Sequence, residues 1–103
     1  MAAYALFRNL SVNDEEGLAE YRANVPAIVQ SFGGHYIVRG GEWDTIEGPA
    51  DVPPVIIEFA DLTAIHRWYE SEEYRPWRDL RHKSAKYYAI FLDGFTPPAV
   101  AED

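Results

Sequence analysis

The stretch that decides the fold runs from Phe32 to Glu42 and reads FGGHYIVRGGE. Two Gly-Gly pairs bracket a short run of aromatic and β-branched residues, a composition typical of a strand. Gly33 follows an apolar helical stripe, so we expect it to end that helix with a positive φ. The pattern predicts a second strand over residues 35–47, and the glycine pair at 40–41 inside it predicts a bulge.

Before this stretch, the sequence predicts one strand and one helix. Residues 3–12 are short, apolar and aromatic, which is typical of a strand. Asn13 then offers a cap for a helix, and Pro26 is expected to kink that helix because proline lacks a backbone donor. The helix is indicated by an apolar stripe at spacings of three and four, made of Leu18, Tyr21, Val25, Ile28, Val29 and Phe32.

After this stretch, the sequence predicts two strands around a second helical region. The strands are residues 55–59 and 87–95. Asp61 is expected to cap the helical region, and residues 71–73 indicate a break followed by a new helical start. Beyond the break, Tyr74, Trp77 and Leu80 continue an apolar stripe with a period of three.

The predicted order is βαββαβ. Two right-handed crossovers then give an α+β, ferredoxin-like fold, with a four-stranded antiparallel sheet and two helices on one face. We expect a single domain over residues 1–95 and a Pro-rich acidic tail over residues 96–103. The runs 55–57 and 87–92 are apolar on both faces, whereas a sheet covered on one side should alternate. The sequence therefore predicts a homodimer that pairs through its sheet faces.

Composition excludes several classes of function. A formal net charge of -8 over 103 residues repels phosphates, so no nucleic-acid partner is expected. No cysteine is present, which removes thiolate ligands and a cysteine nucleophile. His66 and His82 do not have metal-ligand spacing, so neither a metal nor any other cofactor is predicted. Without a signal sequence or an apolar run of spanning length, we expect no membrane partner and a cytoplasmic location.

Several motifs together resemble a known family. They are GGHYIVRGG at 33–41, Glu47-Gly48, Ile57-Glu58-Phe59, WYESEEY at 68–74, and Arg81. This combination is similar to the uncharacterised domain-of-unknown-function 1330 family, and the resemblance covers residues 4–95. It implies a dimeric α/β barrel, as in cofactor-free monooxygenases of antibiotic biosynthesis and muconolactone isomerases. His35 departs from the family pattern, which more usually has Arg or Lys there.

Residues 35–39 contain the candidate chemistry. Strand alternation predicts that His35, Ile37 and Arg39 share one face, with Glu58 on the neighbouring strand as the natural partner of the arginine. In one interpretation, Arg39 holds a carboxylate or enolate of a ligand, and His35 or Glu58 moves a proton as the catalytic group. In the other, Arg39 and Glu58 form a structural ion pair. The residues leave both interpretations open.

Trp68 is the candidate wall of a pocket between helices and sheet, which would suit a flat apolar ligand. The predicted function is therefore to bind or transform a small apolar or aromatic carboxylate or enolate, with Arg39, Trp68, His35 and Glu58 as ligand-binding residues. The alternative is a non-catalytic dimerisation or regulatory module. Whether the protein is an enzyme stays open; the resemblance implies a cofactor-free monooxygenase- or isomerase-like reaction if it is one.

Overall fold

A four-stranded antiparallel sheet and three helices form the fold, which the computed structural model describes over residues 2–49 and 52–98. The strands pair in the order β2-β3-β1-β4. The elements are β1 (Ala3–Val12), α1 (Glu15–Ser31), β2 (His35–Val38), β3 (Val55–Phe59), α2 (Leu62–Tyr69), α3 (Arg75–Ser84) and β4 (Ala85–Asp93). The α+β class and the four predicted strands are confirmed, and the second predicted helical region consists of two helices.

Local side-chain chemistry sets the helix ends. Asp14 begins α1 by accepting a hydrogen bond from the Gly17 amide at 3.0 Å, so the prediction that Asn13 caps this helix was wrong. The Asn13 amide instead donates to the carbonyl of Lys83 at 2.6 Å, which ties the start of α1 to the end of α3. Asp61 caps α2, as predicted, by accepting from the Ala64 amide at 2.8 Å.

The predicted break in the second helical region is confirmed, because α2 and α3 are separate helices. Ser71 occupies the turn between them. Its hydroxyl donates to the carbonyl of Trp68 at 2.8 Å and accepts from the amide of Tyr74 at 3.1 Å. These bonds satisfy backbone groups that the helix ends would otherwise leave unpaired.

The second strand is much shorter than predicted. It ends at Val38, and residues 39–49 belong to no helix or strand. Gly33 follows the end of α1 with φ 84°, which confirms the predicted cap. The predicted bulge at the glycine pair 40–41 was wrong, since both glycines lie in the loop after the strand. A register shift occurs instead between Tyr36 and Val38, where β2 pairs with β3.

The core lies between the helices and one face of the sheet. Ala3, Ala5 and Phe7 of β1 point into it together with Ile57 and Phe59 of β3. Helical residues complete the core, among them Val25, Val29, Ile65, Trp68 and Tyr74. The opposite face of the sheet is called the open face below.

The open face carries an apolar row that crosses the central strands. Leu6 lies opposite Ile56 on β3 and Ile90 on β4, and all three side chains are half-buried. Farther along β4, Leu92 and Tyr88 are 40% and 49% exposed. Strands β3 and β4 therefore carry apolar side chains on both faces of the sheet, as the sequence predicts.

The last strand differs slightly from its predicted limits. β4 begins at Ala85 and ends at Asp93, two residues before each predicted limit. Of the predicted tail, residues 96–98 belong to no helix or strand, and residues 99–103 lie outside the described part. No described helix is long and apolar enough to cross a membrane.

Candidate functional site

A cavity of about 390 Å³ lies between α1, the sheet and the loop after β2. That volume lies in the range of small-molecule sites in proteins. Most of its lining is aromatic or aliphatic, but three arginines also contribute: Arg22, Arg39 and Arg81. Over residues 2–49 and 52–98 the lining includes no Asp, Glu or His, although the whole sequence has 17 acidic residues against 9 basic ones. The cavity is thus cationic within an anionic protein.

Arg81 is the buried cation of this cavity, with only 3% of its surface exposed. Its guanidinium carbon lies 5.2 Å from the ring centre of Phe7 and 5.2 Å from that of Tyr87. Its Nη2 donates to the hydroxyl of Tyr69 at 3.2 Å, and its buried Nε has no partner among the described residues. A buried charge is costly without a counter-ion, yet no described carboxylate lies within ion-pair distance of it.

Two tyrosine hydroxyls lie beside this arginine. Tyr21 Oη and Tyr74 Oη are 2.6 Å apart and share one hydrogen bond. Burial raises the pKa of Tyr21 well above its usual value, and the nearby Tyr74 adds to the increase. Burial also raises the pKa of Tyr74, and the charge of Arg81 partly opposes it. Burial lowers the pKa of Arg81, but the hydroxyls of Tyr74 and Tyr21 more than offset this, so its net shift is upward.

Arg39 is exposed and lies at the mouth of the cavity. Its Nη2 donates to the backbone carbonyl of Arg22 at 3.2 Å, and its guanidinium carbon lies 4.9 Å from the ring centre of Tyr36. In a regular helix the carbonyl of Arg22 would accept from the amide of residue 26. Because residue 26 is Pro26, that amide hydrogen does not exist, and the carbonyl accepts from Arg39 instead. A proline inside α1 therefore helps to hold the arginine at the mouth.

His35 and Glu58 are not near this cavity. Strand pairing places them opposite each other on the open face, whereas Tyr36 pairs with Ile57 and packs against the core. The expectation that His35 and Arg39 share a face was wrong, because the register shift after Tyr36 breaks simple alternation. The same shift explains why the predicted Arg39–Glu58 pair does not form: the two side chains lie on different sides of the sheet.

Trp68 is completely buried and does not line the cavity, contrary to the expectation that it forms a pocket wall. Its ring stacks on Phe59 with centres 5.6 Å apart and lies 4.5 Å from the ring of Tyr74. It supports the cavity only indirectly, since Tyr74 hydrogen-bonds the cavity residue Tyr21.

The most informative cavity residue, Arg81, was not among our predicted site residues. The stripe predicted from the sequence in this region runs through Tyr74, Trp77 and Leu80. The buried stripe runs instead through Tyr74, Arg81 and Ser84. Positions separated by seven and then three residues lie on one face of a helix. The sequence could therefore have indicated that Arg81 lies on the same face as Tyr74 and points inward.

The donors and acceptors of the cavity limit its chemistry. The arginines and Tyr21 offer hydrogen-bond donors, and the raised tyrosine pKa values keep the phenols protonated at neutral pH. No described lining residue is a base of suitable strength for proton abstraction. The described residues also include no group of three potential metal ligands. The arrangement suits an apolar ligand with anionic oxygens.

Fold and cavity together define a class: a small α+β protein with a cationic, aromatic cavity between an antiparallel sheet and its helices. The chain belongs to the family described as "Domain of unknown function (DUF1330)", whose family profile matches residues 2–95. This confirms the family indicated by the sequence motifs. No curated protein matches the chain.

Solved structures with the same fold include proteins without a known function. A protein of unknown function from Rhodopseudomonas palustris, RPA0582, is 17% identical with a TM-score of 0.72, and the match covers 93% of this chain and 84% of that one. The methylated form of RPA0582 gives 16% identity, a TM-score of 0.72, and coverage of 95% and 84%. Rv0793 from Mycobacterium tuberculosis is 11% identical with a TM-score of 0.55, covering 96% of this chain and 100% of that one. At these identities the likeness concerns the fold alone.

Proposed function

We propose that this protein binds a small, flat, apolar or aromatic carboxylate or enolate in the cavity between sheet and helices, without a bound cofactor. The observation that carries the proposal is the lining of the cavity: three arginines, many rings and no described acidic residue. Arginine side chains surrounded by apolar residues attract an anion strongly, because little water screens the electrostatic interaction. Aromatic faces supply the apolar contact for a flat ligand.

Arg39 is proposed to receive the carboxylate at the mouth of the cavity. It is held in place by the carbonyl of Arg22 and by the ring of Tyr36. Only its Nη2 has a hydrogen-bonded partner among the described residues, so the other N–H groups of the guanidinium are available for a charge-assisted hydrogen bond to a ligand. The ligand-binding role predicted for Arg39 thus has a cavity beside it that supports the proposal.

The other candidate residues, His35, Glu58 and Trp68, do not line the cavity, so their predicted roles have to be considered separately. His35 and Glu58 face each other across the open face, so their predicted role in proton transfer requires a substrate on that face. Trp68 contributes packing behind the cavity rather than direct contact. Because the described lining has no base, the proposal favours binding over side-chain proton transfer. A cofactor-free monooxygenase- or isomerase-like reaction stays a prediction.

A thermal-shift experiment with matched ligands tests the binding proposal. We expect 2-naphthoate to raise the melting temperature and 2-naphthalenemethanol, which lacks the charge, to raise it much less, since a ligand of the native state stabilises it. Arg39→Met should weaken naphthoate binding by roughly tenfold, the usual worth of a charge-assisted hydrogen bond. Arg67→Met, which removes the same charge from an exposed position on α2, is the control and should bind normally. Equal shifts with acid and alcohol would contradict the proposal.

The second candidate is the predicted dimerisation module, and a different observation supports it. The strand order corresponds to the ferredoxin-like arrangement proposed for residues 1–95, and the apolar row of Leu6, Ile56 and Ile90 on the open face is suited to cover a second copy. We propose a homodimer through these faces, as in a dimeric α/β barrel, in a cytoplasmic protein. Light scattering should give twice the chain mass, and Leu6→Asp should give the mass of one chain. A monomer mass for the wild type at micromolar concentration would refute the dimer.

A further inference from the structure

The two main cations of the cavity differ in what they can bind. Arg39 is exposed at the mouth, where water remains available to solvate both oxygens of a carboxylate. Arg81 is 3% exposed at the inner end, where a ligand must replace water entirely. A buried anion survives only when each of its lone pairs finds a donor. The number and direction of the donors at the inner end therefore decide which anion fits there.

Two rings and one tyrosine hydroxyl already contact the guanidinium of Arg81. Phe7 and Tyr87 each place a ring 5.2 Å from its guanidinium carbon, and Nη2 already donates to the hydroxyl of Tyr69. Nη2 has two hydrogens, so the bond to Tyr69 uses only one of them, and a ligand meets the hydrogens that remain on the guanidinium.

The tyrosine pair adds one more donor. Each hydroxyl has one hydrogen, and one of the two hydrogens lies in the bond between Tyr21 and Tyr74. Tyr74 is completely buried, while Tyr21 lines the cavity. When Tyr74 donates to Tyr21, the remaining hydrogen belongs to Tyr21 and is available to a ligand. One O–H and the guanidinium then form a donor site for one oxygen.

The charged and titratable groups near this end come from five of the elements around it, and none that the structure describes is a carboxylate. They are Tyr21 and Arg22 of α1, Tyr36 of β2, Tyr69 of α2, Arg81 of α3 and Tyr87 of β4, with Arg39 and Tyr74 outside these elements. The raised pKa values of Tyr21 and Tyr74 keep both phenols as donors at neutral pH. A developing negative charge on a ligand oxygen thus meets only donors and a cation.

We infer that the inner end of the cavity, formed by Arg81 and Tyr21, binds a phenolate or enolate oxygen and stabilises that ionised form of the ligand. The inference rests on the proposed function and narrows its ligand class to hydroxyaryl or β-keto acids, with the ionised hydroxyl inside and the carboxylate at Arg39. Ionisation releases one proton from the ligand oxygen to solvent. No other bond forms or breaks, and no electron moves.

The ionisation of a coloured phenol measures this directly. 4-Nitrophenol absorbs differently as phenol and phenolate, so its titration can be followed by absorbance with the wild-type protein present in excess. We expect the pKa of bound 4-nitrophenol to lie about one unit below that of the free compound, which is a tenfold preference for the phenolate. 4-Nitroanisole, which has the same ring and no ionisable hydroxyl, should bind at least tenfold more weakly near neutral pH. A bound phenol that titrates at its free pKa would overturn the inference.

Two variants assign the effect to the inner end. Tyr21→Phe removes one hydroxyl from a half-buried ring and should reduce the pKa displacement. Arg81→Met should abolish it, and the wild-type and Tyr21→Phe measurements decide the question even if that variant fails to fold. Arg67→Met, at an exposed position on α2, should leave the titration of the probe as in the wild type. An equal displacement in Tyr21→Phe and wild type would show that the assigned donor is wrong.

A second probe separates this inference from the proposed function. If 4-nitrobenzoate binds in a manner that depends on Arg39 while the pKa of 4-nitrophenol is unchanged, the proposed function stands and the inner-end assignment falls. If the phenol pKa falls and 4-nitrobenzoate does not bind, the inner end is right and the carboxylate site is wrong. If neither compound binds, both proposals are refuted.

Discussion

The two faces of the sheet treat polar groups differently. On the face toward the helices, Arg81 and the Tyr21–Tyr74 pair lie beside a cavity, and no described carboxylate balances the charge. On the open face, His35 lies opposite Glu58 at the edge of the sheet, beside an apolar row. The opposite charges that the sequence suggested as one site are thus separated by the sheet. What remains on the helix side is suited to an anion that comes from outside the chain.

A single structural irregularity produces much of this separation. The register shift between Tyr36 and Val38 ends regular alternation in β2, so Arg39 lies beside the same cavity as Tyr36. Without the shift, a side chain at an odd position would face the same way as His35. A site inferred from alternation along a strand therefore depends on a regular register throughout that strand.

The largest expected effect tests the helix side against the open face. Trp68→Ala should lower the free energy of unfolding by about 3–5 kcal/mol, because it removes a completely buried indole and leaves a cavity. Tyr88→Ala on the open face should cost less than about 1 kcal/mol in the isolated chain, since Tyr88 is 49% exposed. Urea denaturation at low protein concentration measures both.

The same pair of variants also tests the proposed dimer. If the open faces pair, the loss of unfolding free energy in Tyr88→Ala should grow as protein concentration rises, because Tyr88 then lies in the interface. The loss in Trp68→Ala should not change with protein concentration, because Trp68 lies in the core of one chain. Equal losses of unfolding free energy for both variants at low concentration would show that the open face is as well covered in one chain as the core. That result would contradict the difference between the two faces.

Much of the fold could be predicted from the sequence because its signals are local. The strands over residues 3–12 and 55–59, the cap at Asp61 and the positive φ of Gly33 follow from patterns or residue types within a few positions. The limits of β2 could not be predicted, because where a strand ends depends on its partner, and β3 supplies only five residues for pairing.

The candidate site was only partly predictable. Arg39 was identified from its residue type, and the structure places it at a cavity. Arg81 was missed because basic residues in helices are usually solvated, and only tertiary packing shows that its stripe faces inward. The kink expected at Pro26 is a local effect, whereas the carbonyl that this proline leaves unpaired accepts a hydrogen bond from a side chain distant in the sequence. Contacts between residues that are far apart in the sequence cannot be predicted from patterns of neighbouring residues.

An intermediate effect tests how Arg39 is held. Pro26→Ala restores the backbone amide that the carbonyl of Arg22 lacks, so that carbonyl should bond within the helix and release Arg39. We expect a rise of about 1–2 kcal/mol in the free energy of unfolding, since interior proline costs about 3 kcal/mol and part is offset in the unfolded chain. Naphthoate affinity should fall by roughly threefold, the loss of part of one charge-assisted bond.

A double-mutant cycle shows whether Pro26 acts through Arg39. In an Arg39→Met background, Pro26→Ala should leave naphthoate affinity unchanged, because the side chain that it would release is gone. A loss of affinity that persists in that background would mean that Pro26 contributes by lining the cavity itself. Higher stability together with lower affinity distinguishes this mechanism from general damage to the fold.

The smallest expected effect appears only in alkaline solution. Burial raises the pKa of Tyr36 from 10.0 to about 12, although the charge of Arg39 opposes the increase. Because the folded state holds this proton more tightly than the unfolded state, the stabilisation is complete below pH 10.0 and is lost as pH rises toward about 12. Tyr36→Phe should therefore lose less stability over that interval than the wild type, as measured by urea denaturation at a series of pH values.

A further variant tests whether the charge of Arg39 acts on this phenol. Arg39→Met should move the loss from Tyr36 to still higher pH, because it removes the charge that favours the ionised phenol. Tyr21 and Tyr74, whose pKa values are also raised, should maintain a slope of the same sign in every variant. If Arg39→Met moved the loss to lower pH, the guanidinium would not be acting on Tyr36 as the 4.9 Å stacking distance implies.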